Sequence, residues 1–77
     1  MAHPIPPIDV RDMVCAQAMA ILSQAVTPLV AGETVTVLMN AEDVRRDVLA
    51  WSQHRGVMIE RLDQLANHEE RLTLRVP

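Results

Sequence analysis

The chain has 77 residues, with 7 Lys+Arg, 10 Asp+Glu, a formal charge of −3, and 49% of its residues hydrophobic. That length holds one small domain, too apolar to be disordered, and the negative balance disfavours a general phosphate-neutralising nucleic-acid binder. A single cysteine, Cys15, excludes an internal disulfide framework, a zinc ribbon and an iron–sulfur cluster, and the absence of lysine excludes Schiff-base chemistry.

Residues 1–7 carry three prolines in four positions and read as an extended arm leading into the domain, which runs from residue 8 to residue 77. The arm has no basic n-region followed by an apolar run, and no stretch of the chain is long and apolar enough to span a bilayer. With a free cysteine and no export signal, a reducing cytoplasm is the expected compartment.

Ile8 and Val10 flank Asp9 in a brief first strand. From Cys15 the period changes. Cys15, Met19, Leu22, Ala25, Val26 and Leu29 recur at spacings that predict an amphipathic helix, supported by alanines at 16, 18, 20 and 25 and stopped by Pro28 and Gly32. Val35, Val37 and Met39 alternate with Thr34, Thr36 and Leu38, which predicts a β-branched strand.

Asn40 reads as the N-cap of a second helix, with Asp43 three residues on in a capping-box arrangement. Val44, Val48, Leu49 and Trp51 are its expected buried stripe, and His54, Arg55 and Gly56 mark its end. Val57 to Leu62 is a predicted third strand and Asp63 to Glu69 a turn. In the last strand Leu72, Leu74 and Val76 alternate with Arg71, Thr73 and Arg75, giving one buried and one wet face. Glu60 is an expected ion-pair partner for that wet face. The order β-α-β-α-β-β, with right-handed crossovers, predicts an α+β two-layer sandwich: a mixed four-stranded sheet with both helices on one face.

Residues Ile8 to Ala18, then Ala31-Gly32-Glu33 with the strand after it, then Asn40 to Trp51, then Arg55 to Ile59 resemble the TusA (SirA-like) sulfur-carrier family. Asp9 stands six residues before Cys15, and Gly32-Glu33 begins seventeen after it, both at the family spacing. Asp47 and Trp51 fall where the family has an acid and an aromatic. The departures are specific. The family's Cys-Pro-x-Pro is Cys15-Ala16-Gln17-Ala18 here, its glycine is Asp12, its Pro-Gly-Glu is Ala31-Gly32-Glu33, and the proline opening its second helix is Ala41 or Glu42.

The resemblance implies that Cys15 accepts sulfane sulfur, holds it as a persulfide and passes it to a partner cysteine. It implies a donor protein of cysteine desulfurase or rhodanese type and an acceptor such as a DsrE-like relay protein, with no cofactor, no metal and no membrane. The alternative is a non-catalytic adaptor that has kept the scaffold and lost the transfer motif. Either form is expected as a monomer or weak homodimer.

At the start of a helix, unpaired N–H groups and the macrodipole favour an anion, so Cys15 is the catalytic candidate. Met13 and Val14 in the preceding loop, with Asp12, Ala16 and Gln17 around the thiol, are the expected docking contacts. Asp9, Arg11 and Asp47 are supporting candidates. Asp12 is expected to raise the thiol pKa through its charge, and Arg11 to offset it if it points that way. His3, His54 and His68 are spaced as surface residues, and Asp43 with Asp47 as a solvated helical face.

Overall fold

A computed structural model describes residues 6–77, so most of the expected proline arm lies outside the described residues. The elements in chain order are β1 (Ile8–Asp9), α1 (Cys15–Val26), β2 (Thr34–Met39), α2 (Glu42–Arg55), β3 (Met58–Gln64) and β4 (Glu70–Arg75). This is the predicted order, with β3 reaching two residues further than the sequence suggested.

The sheet runs β1-β2-β4-β3. β1 is parallel to β2, as a crossover connection through α1 requires, and β2–β4 and β4–β3 are antiparallel. Pairing of Val35 with Leu74 and of Val37 with Leu72 puts the alternating apolar residues of both central strands on one face. There they meet Ala18, Leu22 and Val26 of α1 and Val44 and Val48 of α2 in a single core. The opposite face carries Thr34, Thr36, Arg71, Thr73 and Arg75 and is lined with ion pairs, among them Arg71 with Asp63 and Arg75 with Glu60. Glu60 sits at a register shift between Ile59 and Arg61, which is how it reaches that face.

Helix ends depart from the expectation in two places. Asn40 does not cap α2: Ala41 is the N-cap residue, without a side-chain cap hydrogen bond. The Asn40 amide instead accepts from the Asp12 N–H at 2.9 Å and donates to Asp12 Oδ1 at 2.8 Å, a reciprocal pair that outcompetes a single capping bond. Asp43 accepts from the adjacent Val44 N–H and does not reach back to Asn40 or Ala41, so no capping box forms. At the other end Gly56, at φ 73°, closes α2 in the left-handed conformation, and the Val57 N–H reaches the Ser52 carbonyl at 2.8 Å.

The stripe of α2 is also displaced by one position from the expected one. Ser52 is fully buried, its hydroxyl donating to the Leu49 carbonyl at 2.8 Å, whereas Leu49 and Trp51 are half-buried at the margin of the core. Glu70 is the buried acid. It opens β4 on the helix face, where it accepts from Arg45 of α2 at 3.1 Å and from Gln64 of β3 at 2.8 Å.

Candidate functional site

The loop between β1 and α1 positions the cysteine. Val10, fully buried, extends the strand by donating to the Leu38 carbonyl at 3.0 Å. The chain then turns sharply at Asp12, whose φ of 61° lies in the left-handed region that costs a non-glycine residue strain unless it is held locally. The Asn40 pair holds it. Val14 returns to an extended conformation as the N-cap of α1, and Cys15 is the first residue of the helix.

Because α1 has no side-chain cap and no acid in its first turn, its leading N–H groups stand open beside the half-exposed thiol. That is the setting expected to favour a thiolate. A second feature overrides it. The parallel β1–β2 pair sends both helices off from the same end of the sheet, and Cys15 faces the first turns of α2. Asp47, as acceptor for the thiol proton, then partial desolvation, then Asp43 push the thiol from its ordinary 9.0 up to about 11.

The expected residues therefore divide into two groups. Asp47 lies beside Cys15. Asp43 is brought there too, although its place in the first turn of a helix predicts only a capping and solvation role. Its signal lay in the i, i+4 spacing with Asp47, once the two helix starts are known to be neighbours.

Asp12 is not the charge that raises the thiol, because its carboxylate is turned to Asn40. Arg11 does not offset anything at the thiol. Its guanidinium lies 2.7 Å from Asp9 and 3.2 Å from Glu69, tying β1 to the β3–β4 turn. Arg11, by side-chain and then backbone hydrogen bonds, holds Asp9 down at about 2. Asp9, Arg11 and Glu69 thus form a structural clasp separate from the cysteine's contacts.

Val14, Ala16 and Gln17 are exposed around Cys15, Val14 at 69%, while Met13 is half-buried against the core. His54 and His68 are exposed, as expected, and His3 lies outside the described residues. Among the described residues, no group of three or more His, Cys, Asp and Glu side chains is placed to hold a metal ion. Among the described residues, no helix is long and apolar enough to cross a membrane.

Beyond Cys15 the two helices leave an open groove of about 670 Å³, walled by Met19, Ala20 and Ser23 of α1 and by Ala50, Trp51 and Arg55 of α2. The Arg55 guanidinium lies over the Trp51 ring, 5.6 Å from its centre.

No protein-family model matches the sequence. No curated protein matches it either. Among solved structures, a SirA-like protein from Desulfitobacterium hafniense is similar over 90% of this chain and 93% of that one, with 24% identity and a TM-score of 0.79. The likeness is one of architecture: four mixed strands and two helices over nearly the full length of both chains, so this protein has the SirA-like fold.

Proposed function

We propose that the protein is a persulfide carrier whose single thiol, Cys15, relays sulfane sulfur between a donor and an acceptor protein. The observation that carries this reading is the position of Cys15. It is the first residue of α1 in a SirA-like fold, half-exposed, beside helix N–H groups that no side chain occupies. Those groups stabilise sulfur bearing negative charge, whether as thiolate or as persulfide.

The relay step is a displacement at divalent sulfur. Cys15 loses its proton, and the thiolate attacks the terminal sulfur of a donor persulfide. A new S–S bond forms on Cys15, the donor's S–S bond breaks, and the donor leaves as a thiolate that recovers a proton. The reverse geometry serves delivery, with an acceptor thiolate attacking the terminal sulfur on Cys15.

The acids on α2 set the condition for this step. With the thiol near 11, on the order of one molecule in ten thousand is ionised at neutral pH. Free Cys15 is therefore quiescent. A cationic group of the donor, seated against Asp43 and Asp47, removes what holds the proton on and lets the helix terminus act on the anion. On this reading the partner-binding surface is Val14, Ala16 and Gln17 together with the acid pair, and the donor is a desulfurase- or rhodanese-type protein presenting basic residues beside its own cysteine.

The same raised thiol, with the prolines of the Cys-Pro-x-Pro motif replaced by Ala16 and Ala18, favours a second reading: an adaptor that binds partners without transferring sulfur. Intact-mass spectrometry after incubation with a persulfidated cysteine desulfurase separates the two. A gain of one sulfur atom on the wild type, absent from Cys15→Ser, is the expected result. An unmodified thiol with a bound partner leaves the adaptor.

A further inference from the structure

The charged residues of this chain are almost all matched. Asp9, Glu42, Glu60, Asp63, Glu69 and Glu70 each sit in an ion pair with Arg11, Arg45, Arg61, Arg71 or Arg75. Asp12 is held by Asn40, and Glu33 accepts from the Val30 N–H. Among the described residues, Asp47 is the carboxylate with neither an ion pair nor a hydrogen bond from an N–H group, since Asp43 accepts from the Val44 N–H, and Arg46 and Arg55 are the guanidiniums without an ion pair. All three are on α2.

Three residues of α2 fall on one stripe. Asp47, Trp51 and Arg55 follow one another at intervals of four, an acid and a base each about 6 Å along the helix from a central indole. The helix dipole accounts for Asp43 in the first turn and Arg55 in the last, but not for Asp47, which lies in the interior of the helix. On the α1 side of the stripe, Met19 adds an apolar contact, and Ala20, Ser23 and Ala50 keep the walls of the groove low.

Such a sequence of charges is its own complement. We propose that this face seats a second copy of the chain, the two α2 helices crossing antiparallel about a two-fold axis at Trp51, so that Asp47 of each copy meets Arg55 of the other. The two indoles and two Met19 side chains form the apolar centre, and the arrangement is isologous and closed. Small residues beside the indole permit the close approach that helix packing needs. The long edge of the sheet is a poorer alternative: β3 is bulged at Glu60, and its charges are already paired with its neighbours.

Sedimentation velocity over roughly 5 to 500 μM tests the proposal, because one helix pair buries too little surface for tight binding and implies a constant on the order of 10–100 μM. The wild type is expected to pass from monomer to dimer in that range, and to weaken as salt rises. Arg55→Asp and Asp47→Arg alone should each weaken the dimer at least tenfold, and the double exchange should restore it to within about threefold. Arg55 is an exposed residue at a helix end, so its variant reads association even if the exchange at the half-buried Asp47 disturbs folding, which far-UV circular dichroism would show. A wild type that stays at 8.6 kDa throughout, or a dimer indifferent to Arg55→Asp, overturns the proposal.

Discussion

At the scale of single side chains, two influences meet on Cys15. The open N–H groups of α1 favour the anion, and Asp47 with Asp43 opposes it. The acids prevail because two carboxylates beside a partly desolvated thiol carry full charges, whereas the helix terminus acts through partial ones. Asp47→Asn removes the leading influence, so the thiol is expected to fall from about 11 toward its ordinary 9.0. The rate of alkylation by iodoacetamide at pH 8 should then rise about tenfold or more. The pH profile of that rate, measured for wild type and variant, gives the answer directly. Unchanged profiles would remove Asp47 from the account. Of this site the sequence made the thiol and Asp47 legible, through position and resemblance. It misplaced the influence of Asp12, because Asn40 had a capping role available on paper. Only the three-dimensional closeness of the β1–α1 loop to the end of β2 gives Asn40 a better partner. Asp12 stands where the resembled family has glycine, and its positive φ explains why glycine suits that place.

At the scale of elements, period and punctuation determined the order and type of each element, though not the cap or the full buried stripe of α2. The alternation in β2 and β4 reads straight onto the buried face, and Gly56 ends α2 where expected. What could not be read was the pairing of Glu70 with Arg45, since nothing in a one-dimensional pattern marks an acid as buried. That pair, with Gln64, fixes α2 to the start of β4 and to β3. Glu70→Ala leaves Arg45 and Gln64 without their acceptor at a position only 6% exposed. The expected loss is about 2–3 kcal/mol in urea unfolding, with the slope of the transition unchanged. Glu70→Gln, which keeps an acceptor oxygen, should lose less. Equal losses in the two variants would assign the effect to packing alone.

For the molecule as a whole, the pairing of Asp9 with Arg11 contributes to the acid limb of stability. Asp9 is held at about 2 in the folded chain against 3.8 for an unconstrained group. A carboxylate depressed by folding contributes above its unfolded value, and the contribution disappears as pH falls through the folded one. The urea midpoint should therefore decline as pH drops from about 4 to about 2, and Asp9→Asn should flatten that part of the curve. A variant whose decline parallels the wild type would place the acid sensitivity elsewhere, with Asp63, which Arg61 and Arg71 hold below its ordinary value, the next candidate. The same scale shows why a chain of this length folds without cross-links: among the described residues, thirteen apolar ones are buried in one cluster that draws on β1, β2, β4 and both helices.

Trp51 is the sole aromatic of the Phe, Tyr and Trp class in the chain, and it lies half-buried in the groove with Arg55 over its ring. All of the protein's near-ultraviolet absorption and emission from such rings therefore originates at one address, one helical turn beyond the acid that governs the thiol. Whatever enters that groove must change the polarity around the only intrinsic fluorophore. The protein thus comes with a built-in optical probe of its own occupancy, needing neither label nor mutation.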